Sequence, residues 1–106
     1  MITVGLIEDD PKLRLNFETF FKLDKEVDVV FSYSSIEQFL ANKNSITYDP
    51  FIVFLDIGLP GISGLEGVSI INKQYKETHL VILSGNNDEE VIWQAISKGA
   101  NGYLLK

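Results

Sequence analysis

The stretch FIVFLDIGLPGISGLE, residues 51–66, decides the fold. Phe51 to Leu55 is an unbroken apolar run, as expected of a central parallel strand buried on both faces, and it stops at the acid Asp56. Pro60, Gly61 and Gly64 then break the chain before Leu65, Val68, Ile71 and Tyr75 take up helical spacing. A buried strand, a turn and an amphipathic helix in this order make the first half of a βαβ unit.

The same alternation continues on both sides. Ile2 to Ile7 reads as a strand, and Asp10 as N-cap with Pro11 at the first helical position opens a helix with an apolar stripe of Leu13, Phe17, Phe20 and Phe21. Val27 to Tyr33 is β-branched and aromatic. Ser34 and Ser35, with Glu37 and Gln38 three residues after each, predict a capping box and a short helix through Lys43, followed by a loop from Asn44 to Pro50. Beyond Tyr75, Leu80 to Leu83 reads as the fourth strand, with His79 as a surface residue that begins it. Asn86, Asn87 and Asp88 are cap candidates for a fourth helix with the stripe Val91, Ile92, Ala95 and Ile96, which Gly99 stops as the C′ residue. Trp93 lies off that stripe, so partial burial is expected of it. Tyr103 to Leu105 is the fifth strand. The order β-α-β-α-β-α-β-α-β predicts an α/β fold, a doubly wound, five-stranded parallel sheet with strand order 2-1-3-4-5.

Composition agrees with one such domain and narrows what it can do. The 106 residues are 45% hydrophobic and 23% charged, which suits a single core and leaves no room for a second domain. Fifteen acidic against nine basic residues give a net charge of −6, so DNA contact is expected only through a domain absent from this chain. Cysteine is absent, which removes disulfides and thiolate metal sites. Apolar runs are too short to span a bilayer, and Glu8, Asp9 and Asp10 interrupt the N-terminus before a signal-peptide core can develop, so no membrane association and a cytoplasmic location are expected.

Right-handed crossovers place every strand's C-terminal end on one edge of the sheet, where ligands of open α/β sheets bind. Glu8, Asp9 and Asp10 follow strand one, Asp56 closes strand three, Ser84 and Gly85 follow strand four, and Lys106 follows strand five. With strands about 4.8 Å apart, Asp9 and Ser84 flank Asp56 at one spacing, and the long lysine can close a gap of two. Taken singly, these are ordinary caps, turn residues and a solvated terminal lysine; together at four strand ends they make a site. Carboxylates crowded in one crevice need a cation, and an all-oxygen donor set selects Mg²⁺, with Mn²⁺ possible. So sparse a magnesium site implies a phosphoryl co-ligand, which Lys106 and the Ser84 hydroxyl could hold, and an aspartate can itself accept a phosphoryl group.

The strings LIEDDP (6–11), LDIGLPGISGLE (55–66), ILSG (82–85) and GANGYLLK (99–106) resemble the receiver domain of two-component response regulators, most closely those joined to a helix-turn-helix of the LuxR or nitrate-regulator type. The resemblance runs from residue 2 to residue 106. It implies that Asp56 accepts a phosphoryl group from a sensor histidine kinase or a small phosphodonor. It further implies Mg²⁺ bound by Asp9, Asp56 and the Gly58 carbonyl, with Glu8, where aspartate is more usual, contacting it through water. Ser84 and Lys106, with the backbone N–H groups of Gly58 and Gly85, would hold the phosphoryl oxygens. Tyr103 matches the switch aromatic that turns inward when Ser84 is drawn to the phosphoryl group, which would make helix four and strand five, Trp93 included, the output surface.

The resemblance also implies a receiver domain over residues 1–106 that lacks its fifth helix and its output domain, with transcription regulation as the output. Leu80 to Leu83 and Tyr103 to Leu105 are then expected to show apolar side chains on a half-covered sheet face. Self-association is expected there or through the helix four and strand five face. A flavodoxin-type carrier is disfavoured because Glu8, Asp9 and Asp10 would repel its flavin phosphate. A haloacid-dehalogenase phosphatase and a Toprim enzyme are disfavoured because each needs a second aspartate where Gly58 stands. The surviving alternative is a non-phosphorylated pseudo-receiver acting only as an interaction module, and the domain is expected to be a signalling switch, not a conventional enzyme.

Overall fold

The apolar run before Asp56 becomes the middle strand of a five-stranded sheet in the computed structural model, which describes residues 1–85 and 89–106. The strands are β1 (Ile2–Ile7), β2 (Val27–Tyr33), β3 (Ile52–Asp56), β4 (His79–Ser84) and β5 (Gly102–Leu105), all parallel, in the order β2-β1-β3-β4-β5. They alternate with α1 (Pro11–Lys22), α2 (Ile36–Asn42), α3 (Gly64–Gln74) and α4 (Glu89–Ser97). Fold class and strand order are those expected from the sequence. Among the described residues no helix is long and apolar enough to cross a membrane.

The two-residue repeat of a strand sorts side chains between the faces. Val53 and Leu55 of β3 and Leu80 and Ile82 of β4 join Ile7 and Phe31 in one cluster, which Ile36 and Phe39 of α2, Val68 and Ile71 of α3 and Ala95 of α4 cover. Phe54 points to the other face, where α1 stacks Phe17 and Phe21 on it at ring distances of 6.1 and 5.6 Å. Leu13, Phe17 and Phe21 are half-buried, but Phe20, placed on the stripe by its spacing, is 68% exposed at the stripe's edge and meets only the rim of Phe21.

Helix starts follow local chemistry. The Asp10 carboxylate accepts from the N–H groups of Lys12 and Leu13, and the Ser63 hydroxyl accepts from that of Glu66. At α2, Ser35 accepts from Gln38 N–H while Gln38 Oε1 accepts from Ser34 N–H at 2.7 Å, so the box is closed by Gln38 and Glu37 takes no part in it. Gly99 has φ of 123°, as a C′ glycine should, and the Asn72 side chain donates to the neighbouring Lys98 carbonyl. Asn86, Asn87 and Asp88, the cap candidates for α4, lie outside the described residues.

Several boundaries and exposures differ from expectation. Helix α2 ends at Asn42, and a 3-10 turn, Lys43–Ser45, occupies the start of the expected loop. Phe51 is not in the strand: it is exposed, and its ring lies 4.9 Å from that of His79, which is at the surface as expected. Tyr75 leaves helical geometry as the C-cap of α3 but stays buried against Phe39. Trp93 is 69% exposed, because α4 buries Ile92 and Ala95 and turns Trp93 and Ile96 outward towards β5. The apolar face expected to be open on both β4 and β5 is open mainly on β5. Leu80 and Ile82 point into the main core and Leu83 is buried as well, whereas Tyr103, Leu104 and Leu105 are exposed.

Phe39 has no exposed surface and touches the rings of Phe31, Tyr33 and Tyr75, so it joins α2 to β2 and to the end of α3. Phe39→Ala is expected to destabilise the domain by about 3–5 kcal/mol, the usual result of emptying a buried aromatic site. Urea unfolding of the two proteins checks this.

Candidate functional site

The parallel register brings the polar residues after β1, β3, β4 and β5 to one edge. Leu6 pairs with Phe54 and Ile7 with Leu55, so Glu8 comes level with Asp56; Asp56 in turn pairs with Leu83, next to Ser84, and Ser84 with Leu105, next to Lys106. Each chemical group is thus set by the last rung of a backbone ladder. Lys106 donates its own backbone N–H to the Ser84 carbonyl at 2.8 Å, which fixes where its side chain starts.

From there the side chain crosses the two-strand gap. Lys106 Nζ lies 2.9 Å from Asp56 Oδ2 and 2.9 Å from Glu8 Oε1, so one ammonium bridges two buried carboxylates. The remaining oxygens are also held: Glu8 Oε2 accepts from Asp10 N–H at 3.0 Å, and Asp56 Oδ1 accepts from Gly58 N–H at 2.9 Å. Asp9, by contrast, is exposed. One carboxylate oxygen each from Glu8, Asp9 and Asp56 falls within 4.8 Å of the others, a cluster of hard donors that could hold a metal ion. Ser84 is buried at the end of β4. Among the described residues, a side chain at Gly85 would meet nothing within 4 Å, and one at Gly58 would meet Asp56 Oδ1 at 3.6 Å, so both positions are open.

Burial raises the pKa of Glu8, opposed by Asp10 N–H and Lys106 and reinforced by the charge of Asp56. Burial acts in the same sense on Asp56, but Lys106 and Gly58 N–H outweigh it and hold Asp56 below the usual carboxylate range. Desolvation would lower Lys106, yet its two carboxylate partners raise it. The shifts run in opposite directions at the two acids: Asp56 favours its charged form, Glu8 its protonated form, and Lys106 its ammonium form.

Glu8, Asp9, Asp56, Gly58, Ser84, Gly85 and Lys106 lie at this edge, and Tyr103 lies away from it. Both Glu8 oxygens have protein partners, and one of them also belongs to the acidic cluster that could hold a metal ion. Tyr103 is 46% exposed and lines a groove of about 350 Å³ with Glu89, Ile92, Trp93 and Ile96, on the outer side of β5. Arg14 was missed. Its Nη1 donates to the Glu8 carbonyl at 2.8 Å, tying α1 to the turn that carries Glu8 and Asp9. The available signal was its position one helical turn after the cap Asp10, which puts it over the same end of the sheet.

Comparison with known proteins agrees with this geometry. The chain is 34% identical over 104 residues to the nitrate/nitrite response regulator protein NarL of Escherichia coli strain K12, covering 98% of this chain and 47% of that protein. It thus spans about half the length of the curated relatives it matches. The isolated receiver domain of RcsB from Salmonella enterica serovar Typhimurium, solved in the presence of the phosphomimetic BeF3-, superposes with a TM-score of 0.85 at 18% identity, over 99% of this chain and 77% of that one. A response regulator protein from Burkholderia pseudomallei with a phosphorylated aspartic acid and a calcium ion superposes with a TM-score of 0.83 at 19% identity, over 100% of this chain and 60% of that one. At these identities the two structures speak for the fold alone. The description "Response regulator receiver domain" matches residues 4–106, and the chain belongs to that family.

Proposed function

We propose that the chain is a phosphorylation-operated switch in which Asp56 is the phosphoryl acceptor. The observation that carries this reading is the Lys106 ammonium placed 2.9 Å from Asp56 Oδ2, which holds a buried carboxylate anionic beside a cluster of hard oxygen donors. A carboxylate oxygen of Asp56 attacks the phosphorus of a phosphohistidine on a sensor histidine kinase, or of a small acyl phosphate. The new O–P bond forms as the P–N or P–O bond to the donor breaks, and the imidazole or carboxylate leaves with the bonding electron pair. Asp56 becomes an aspartyl phosphate.

The clustered oxygens of Glu8, Asp9 and Asp56 fit Mg²⁺ or Mn²⁺, and in our reading Asp9, Asp56 and the Gly58 carbonyl would hold the ion, with Glu8 contacting it through water. When bound, the cation would offset the charge of the phosphoryl oxygens. On the protein side, Lys106 exchanges part of its contact with Asp56 for a phosphoryl oxygen, and Ser84 with the N–H groups of Gly58 and Gly85 donates to the others. The open positions at Gly58 and Gly85 leave space for the group. Tyr103 and Trp93 then read the state of Ser84 through β4 and β5. We assign transcription regulation as the output, through a segment outside these 106 residues, in keeping with the greater length of relatives such as NarL, and a cytoplasmic setting.

Intact-mass analysis after acetyl phosphate and Mg²⁺ should show one added phosphoryl group on the wild type and none on Asp56→Asn, because the amide cannot form the acyl phosphate. Unlabelled wild type would instead favour a pseudo-receiver. Asp9→Ala should weaken Mg²⁺ binding by at least about tenfold, as loss of even an outer-shell partner does, measured by calorimetric titration. Trp93 is the sole tryptophan and stands exposed beside Tyr103, so Mg²⁺ with beryllofluoride should change its emission; an unchanged spectrum in protein shown to bind the mimic would place the output surface elsewhere.

A further inference from the structure

The segment 57–63 joins the end of β3 to α3 and carries Gly58, whose N–H orients Asp56 Oδ1. It is anchored at one end by Ile57 N–H donating to the Leu83 carbonyl at 2.9 Å, and at the other by the Ser63 cap of α3. Between those anchors the chain turns outward through Pro60 and Gly61, with φ of 71° at Gly61. Here a side chain from another helix takes hold. Glu37 Oε2, in the first turn of α2, accepts from Ile62 N–H at 3.0 Å, and its carboxylate fills the space in which a Cβ at position 61 would lie.

Glu37 puts a negative charge in the first turn of α2, which suits the helix N-terminus, but that does not require the contact with Ile62. Ser35 already caps α2 and Gln38 already closes the box, although the sequence pattern offers Glu37 for that purpose. Its side chain is exposed, so it contributes little to the core. It holds the outer turn of the loop at Ile62 by a hydrogen bond to a carboxylate, in the same short segment that carries Gly58. We propose that Glu37 is a positioning residue for the Asp56 carboxylate, acting through Ile62, Gly61 and Gly58. This rests on the reading of Asp56 as phosphoryl acceptor, and it adds an element, α2, to which that reading gives no part in the reaction.

The test compares wild type, Glu37→Ala and Glu37→Gln in three measurements: the rate of Asp56 labelling by acetyl phosphate with Mg²⁺, the Gly58 amide resonance in ¹H–¹⁵N spectra, and the melting temperature. Glu37→Ala should slow labelling roughly three- to tenfold, the range expected for losing one orienting hydrogen bond. It should also move the Gly58 resonance while leaving the melting temperature close to wild type. Glu37→Gln, whose side-chain carbonyl can still accept from Ile62 N–H, should recover most of the rate and restore the Gly58 signal. Wild-type labelling together with an unmoved Gly58 resonance in Glu37→Ala would overturn the proposal, as would a Glu37→Gln variant that fails alongside Glu37→Ala with a lowered melting temperature. If the wild type itself takes up no phosphoryl group, the acceptor reading falls. The Gly58 resonance alone then decides whether Glu37 positions the loop.

Discussion

A single ammonium between two buried carboxylates holds the functional edge of this domain together. Glu8 ends the first rung after β1, Asp56 ends β3, and Lys106 arrives from the far side of β4 to touch both. Removing two acids from water is unfavourable, and in a low-dielectric crevice they would repel one another. The lysine answers both problems with one charge, and the N–H groups of Asp10 and Gly58 occupy the oxygens it leaves. The result is asymmetric. Burial prevails over the donors at Glu8 and raises its pKa, whereas the donors prevail at Asp56 and hold it below the usual carboxylate range.

That asymmetry depends on register. A slip of one residue in β3 would exchange the faces of Val53, Phe54 and Leu55 and turn Asp56 away from Lys106. The hydrophobic sorting that builds the core therefore also places the charge cluster: Val53 and Leu55 must face α2 and α3, Phe54 must face Phe17 and Phe21, and Asp56 follows. Packing and chemistry constrain the same strand, and neither can be altered alone.

Much of this was legible from residue order because it is governed by local rules. The unbroken run before Asp56, the Asp10–Pro11 helix start and the Gly99 stop are one-dimensional signals, and the parallel topology follows from their alternation. The meeting of Asp56 and Lys106 was legible too, since strand spacing and the length of lysine bound the distance. What the sequence hid are contacts between distant segments made by side chains with two possible employments. Glu37 satisfies a capping pattern yet binds Ile62, and Arg14 looks like an exposed helix residue yet holds the Glu8 carbonyl. The exposure of Phe20 and Trp93 escaped for a related reason. Periodicity gives the direction of a side chain, but whether anything lies in that direction is set by the neighbouring elements.

The two halves of the sheet differ in how closely their side chains are packed. On the β2 side, Phe31, Tyr33, Phe39 and Tyr75 form a continuous aromatic cluster, and closely packed rings of this kind resist small displacements. On the β5 side, the strand is short, its apolar side chains are exposed, and the neighbouring groove holds Trp93 and Tyr103 near water. Ser84 and Lys106 share a backbone hydrogen bond across β4 and β5, and Tyr103 sits on the same ladder opposite Ile82. Any ligand that draws Ser84 and Lys106 together at the edge therefore acts on the half of the sheet that carries Tyr103 and Trp93. It can shift the population there only by binding one arrangement of that ladder better than another. The acidic edge and β5 are joined by one ladder, so a displacement of Ser84 or Lys106 would reach the strand that carries Tyr103 through backbone hydrogen bonds.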